Sequence, residues 1–264
     1  MNIFLREVRA NLKSLLIWSA IVLLLIVMAV AKFSAFAGDP EMLNMLDSMP
    51  PALLAALSMQ AFNLTTISGF YGVMFVYFAL MSAIAAAMWG SEIISKEERN
   101  KTVEFSLVLP VSRSKVVTAK ALAALVNCVL FVLITWGGSL LMVKQYNPDP
   151  AFYDFLRLEM AGLLMIALVF LAVGLLLGCS MKRYKLSGST AVGIILTAYF
   201  VSIVAVMNEK LEFLKYFTPF RYFDAGEMFR TGKLDGAALG ISAGIIVVCL
   251  VAAYWIYNKR DLYI

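Results

Sequence analysis

Catalysis needs reactive side chains that can meet, and this chain keeps few of them. It has no histidine, which removes the commonest general base and the commonest metal ligand at neutral pH. Cys128, Cys179 and Cys249 are lone residues in apolar runs; they read as small packing groups, with neither a disulfide framework nor a metal spacing. No metal site is expected. "GEMFRTGKL" invites a phosphate-loop reading, but five residues separate Gly226 from Gly232-Lys233 and Leu234 follows. The motif needs four residues there and then Ser or Thr. Charge is concentrated instead in Ser91–Lys120, "SEIISKEERNKTVEFSLVLPVSRSKVVTAK", where ten of thirty residues are charged. Glu92, Lys96, Glu97 and Arg99 stand three and four apart, within reach of one another on a helix. The chemistry on offer is ion pairing and docking, not bond making.

The elements that carry this insert follow from composition. Of 264 residues 62% are apolar and 15% charged, against about 25% charged in soluble domains. Crossing a membrane takes about 20 apolar residues, each rising about 1.5 Å through a core about 30 Å thick. Six stretches qualify, and the sequence predicts an all-α membrane protein with spans at about 15–37, 64–90, 117–143, 157–180, 187–207 and 236–257, forming a single transmembrane domain across 1–264. The short alternating segments of a membrane barrel are absent. The first run is long, and no small-x-small site clearly closes it, so it reads as a retained span and not a cleaved signal.

Six spans place both termini on one side. Segments 1–13, 91–120, 181–187 and 258–264 hold 14 basic and 6 acidic residues; the opposite segments hold 8 and 11. The positive-inside rule makes the termini and the insert cytoplasmic. The net charge of +5 is then a topology signal, and no nucleic-acid partner is expected. On the same side, "MNIFLREVRANLKSLLIW" has Phe4, Leu5, Val8, Leu12, Leu15 and Leu16 at helical spacing between basic residues, which predicts a short interfacial helix before the first span. Outside, "KQYNPDPAFYDFLR" reads as a simple link. The segment 208–235 alternates seven aromatics with charges around Pro219; two short helices dipping into the outer leaflet are expected there.

The spans carry little that could power transport. No charge falls in the middle of any of them, and Lys32 and Glu159 are expected near the outer ends, within reach of the interface. A gradient-driven carrier needs an ionisable group at depth. Asn127 reads as an interhelical hydrogen bonder. Gly174–Gly178 and Gly240–Gly244 are both G-x-x-x-G, a spacing that lets helices approach closely.

The insert reads as a helical continuation of the second span, then "TVEFSLV" with Val103 and Leu107 on one face, then a stop at Pro110. Ser112 or Ser114 is able to cap the helix that follows. In its residues and order the string resembles the cytoplasmic loop of ABC type-two exporter permeases: Glu92, Glu97, Glu98, Arg99, Thr102, Glu104, Pro110, Val111, Ser112 and Arg113, followed by Lys120. Lys101 stands where many members have Gly. The six-span order and "YFTPFRYF" before the last span agree.

That resemblance implies a permease subunit in the cell membrane, paired with a second permease subunit as a homo- or heterodimer around a translocation path. Separate ABC ATPase subunits would bind ATP and Mg, so this chain would be no enzyme and hold no cofactor of its own. Glu92, Glu97, Glu98, Arg99, Lys101, Thr102, Val103, Glu104, Leu107, Pro110 and Arg113 would carry the ATPase-coupling helix. Lys182, Arg183 and Lys185 would make a second cytoplasmic contact. Two other readings stay open: a non-transport anchor or sensor that recruits an ATPase, and a gradient-driven carrier.

Overall fold

The computed structural model describes residues 3–37, 48–50, 53–54, 59, 62–99, 111–181, 183–207 and 209–259. In chain order its helices are α1 (Ile3–Phe36), α2 (Ile67–Arg99), α3 (Arg113–Val143), α4 (Pro150–Ser180), α5 (Tyr184–Met207), the short α6 (Pro219–Tyr222) and α7 (Ala225–Thr231), and α8 (Gly236–Lys259). Six of these are long and apolar enough to cross a membrane, which makes this a multi-pass membrane protein. No strand occurs among the described residues.

Local chemistry sets several of the ends. Ser112 caps α3, its hydroxyl accepting from the Lys115 amide at 3.3 Å, which satisfies one of the first-turn donors a helix leaves open. Asp149 precedes α4 and Pro150 opens it, using the one helical position where proline's missing amide costs nothing. Between them, Asn147 in a left-handed conformation closes the turn after α3. Asp224 caps α7 through the Glu227 amide at 2.9 Å, and Gly232, at φ 65°, ends it; that backbone conformation favours glycine.

Two helices form the centre. Of the apolar windows, 67% of α2 and 61% of α4 is buried, against 22% for α5 and α8. The α2–α4 interface is the most extensive in the bundle, with α1 packed on α3, α5 on α2 and α4, and α8 on α4. Missing side chains make the central contact possible. A Cβ at Gly174 would lie 2.3 Å from the Ala87 carbonyl oxygen, and one at Gly90 would lie 2.5 Å from that of Leu171.

Three expectations change. Within the described residues α1 is one unbroken helix of 34 residues, about 50 Å long, with no turn between an interfacial piece and a span. Nothing from Ile3 to Phe36 is Gly or Pro, so nothing breaks it. The link before α4 is also partly helix, because α4 starts at Pro150. Glu159 therefore lies in the third turn of α4 and is fully buried, where the sequence placed it within reach of the interface.

The segment after α5 folds back onto the bundle. A 3₁₀ stretch, Glu209–Phe217, leads to Pro219 at the start of α6. The Thr218 hydroxyl donates to the Ala198 carbonyl at 2.8 Å, and the Tyr222 hydroxyl to that of Tyr216 at 2.5 Å. Phe220 packs between Phe170 and Tyr199, while Phe213, Tyr216 and Phe217 remain exposed. Burial raises the Tyr222 phenol above its ordinary range.

Candidate functional site

The candidate site is the end of the bundle from which residues 100–110 leave α2 and return to α3. Lys101, Thr102, Val103, Glu104, Leu107 and Pro110 lie outside the described residues. Glu97, Glu98 and Arg99 form the backbone of the last turns of α2, and their side chains also lie outside the description. Glu92 is half-buried one turn above them.

The base of α2 is held from one side by α1. Lys96 turns to Glu7 and not, as its spacing predicts, to Glu92; the two form an ion pair, and Arg6 adds a second contact to Glu7 at 3.3 Å. Glu7 is 1% exposed and Lys96 18%, so the pair sits out of bulk water and holds α1 against α2. Above it the Trp89 indole donates to the Ser14 hydroxyl at 2.9 Å.

On another side stands α3. Lys120, expected to close the polar insert, is fully buried, and its ammonium donates to the Ile93 carbonyl at 2.8 Å. A buried ammonium is tolerated only when its donors are met. Here it ties the first turns of α3 to the last turns of α2. Arg113, the first residue of α3, reaches the Tyr257 and Asn258 carbonyls of α8 at 3.4 Å. Ser114 and Asn258 exchange hydrogen bonds at 3.0 and 3.2 Å, and Thr118 meets the Tyr254 hydroxyl at 2.7 Å.

The turn between α4 and α5 completes the face. Arg183 and Lys185 are exposed there, and Lys182 lies outside the described residues. Gly178 lies so near α2 that a Cβ would meet the Ser91 carbonyl at 2.8 Å. The second basic group therefore stands beside the root of the insert. Both ends of the insert are thus anchored to neighbouring helices.

Sequence reasoning missed Glu7, Lys96 and Lys120 as anchors. A signal existed for the first: Glu7, Asn11 and Ser14 recur at i, i+4 and i+7 on one side of the helix, and Glu7 and Ser14 both meet α2. Lys120 was also marked, by Val116, Val117, Ala121 and Ala123 around it. Among the described residues nothing at this end assembles a catalytic constellation, and none form a cluster of His, Cys, Asp or Glu fit for a metal.

Comparison with curated proteins returned no match. A family model described as ABC-2 family transporter protein matches residues 1–262. The chain therefore belongs to the ABC-2 family of transporter membrane proteins.

Proposed function

We propose that this protein is the permease subunit of an ATP-driven exporter in the cell membrane, pairing with a second permease subunit and receiving its energy from separate ATPase chains. The observation that carries the reading is family membership across 1–262, in a bundle whose long helices cross a membrane by length and composition. The balance of basic residues favours a cytosolic insert. In this reading an ATPase grips residues 99–109 and makes a smaller contact at 181–185. ATP and Mg stay on that partner.

The anchors give the grip a route. Lys96–Glu7 joins the motion of α2 to α1, Lys120 joins it to α3, and the Gly174 contact passes it to α4. Close-packed elements of this kind transmit displacement because they do not compress.

The test is reconstitution with the co-purifying ATPase. Glu98→Lys with Arg99→Glu, or Val103→Pro alone, is expected to abolish ATP-driven transport while the protein still inserts and folds. Undiminished transport in both variants would reject the reading. Co-purification of an ATPase without any ATP-dependent cargo movement would favour an anchor or sensor instead.

A further inference from the structure

The half of the bundle away from the insert holds a group that coupling does not use. Glu159 lies nine residues past Pro150, about 14 Å along α4, and is 0% exposed. Both of its carboxylate oxygens are buried without a hydrogen-bond partner among the described residues. Tyr71 of α2 and Ser139 of α3 are also fully buried, and among the described residues neither hydroxyl has a partner other than the other one. The Tyr71 hydroxyl lies beside Ser139 and within electrostatic reach of Glu159. Phe78 and Phe152 wall the cluster, their ring centroids 6.1 and 5.5 Å from that of Tyr71.

A bare carboxylate in such surroundings is costly, and buried polar groups in folded proteins are nearly always satisfied. The neighbouring helices supply no countercharge. No Lys, Arg, Asp or Glu occurs in α3 from Ala121 to Val143, in α5 from Leu186 to Met207, or in α8 from Gly236 to Asn258. On α2 the titratable group that faces Glu159 is Tyr71. Arg221 of α6 is taken by Asp224 at 2.6 Å, and Arg230 of α7 by Glu227 at 3.5 Å. On α4 itself Arg157 is taken by Asp154 at 2.9 Å, and no countercharge for Glu159 is found among the described residues.

We propose that Glu159, with the Tyr71 and Ser139 hydroxyls, forms a binding site for one positive charge, a proton or an alkali-metal cation, in the half of the bundle opposite the insert. A single carboxylate with neutral oxygens suits a monovalent ion; divalent ions draw on several acidic ligands. The site is closed to solvent, so its cation exchanges only when α2, α3 and α4 part at that end. The inference rests on the charge balance of the folded bundle and stands whether or not an ATPase grips the insert.

The test is infrared difference spectroscopy on the full-length protein in lipid nanodiscs, wild type against Glu159→Gln. Spectra are taken with N-methylglucamine as the sole cation and again with sodium or potassium chloride. A carboxylic-acid C=O band lost in the variant and insensitive to salt identifies the ligand as a proton. A band that gives way to carboxylate bands when alkali ions are added identifies the metal cation. Carboxylate bands from Glu159 under every condition, unaltered by alkali ions or by mildly acidic and alkaline pH, overturn the proposal. Tyr71→Phe supplies a second reading that keeps the ring. It is expected to weaken cation binding about tenfold, the scale of one lost hydroxyl contact, and to shift the Glu159 bands; an unshifted spectrum contradicts the cluster.

Discussion

The two ends of the bundle treat buried charge in opposite ways. Where the insert leaves α2, Glu7 and Lys120 are each almost wholly enclosed, and each has a partner, Lys96 for the first and the Ile93 carbonyl for the second. At the other end Glu159 is equally enclosed and has none among the described residues. Paired buried charges fix where helices stand relative to one another, because separating them strands a charge. An unpaired one gives the fold no such restraint. The first arrangement suits a joint that must pass on motion without slack, the second a group that answers to something dissolved.

Substitutions at the two ends should therefore differ in cost. The largest loss is expected for Glu7→Ala. Leaving the half-enclosed Lys96 without its partner should cost about 3–5 kcal/mol, read as loss of thermal stability in nanodiscs, and Lys96→Met in the same chain should recover most of it. Next comes the central contact. Gly174→Ala drives a methyl toward the Ala87 carbonyl and should cost about 1–3 kcal/mol as overpacking. Gly244→Ala, with nothing within 4 Å of the added carbon, should leave the melting temperature unchanged. Trp89→Phe removes the hydrogen bond to Ser14 and should cost about 1 kcal/mol. Among the charged residues the smallest loss is expected at Glu159→Gln, under about 1 kcal/mol, because no group among the described residues loses a partner. A loss at Glu159→Gln as large as at Glu7→Ala would erase the distinction between the ends.

Much of the fold is legible in the residues. Span-length apolar runs, the Ser112 cap and the Pro219 break all have local causes, and local causes can be read from sequence. Glu159 is hidden because the uncharged run begins only after it, while the helix starts at Pro150. Asp149-Pro150 is a helix-opening pair, and reading it as such would have carried α4 back and taken Glu159 inward. Lys96 is harder. Glu92 stands one turn away and is a plausible partner, whereas Glu7 comes from the far end of the chain and is chosen only by tertiary packing. The two G-x-x-x-G motifs make the same point. Gly174–Gly178 lies against α2 and Gly240–Gly244 touches nothing within 4 Å; the spacing alone does not say which helix has a neighbour. Of the coupling residues, Glu92 is half-buried and Arg113 turns its side chain to α8. The roles of those from Lys101 to Pro110 rest on resemblance.

The most direct measurement is a photo-crosslinking amino acid placed at Glu104 in the native complex, combined with labelling by a membrane-impermeant reagent in intact cells. The account predicts a crosslink to a nucleotide-hydrolysing chain and no labelling until the membrane is opened. Labelling at Glu104 from outside the intact cell, with no ATPase captured, would contradict it.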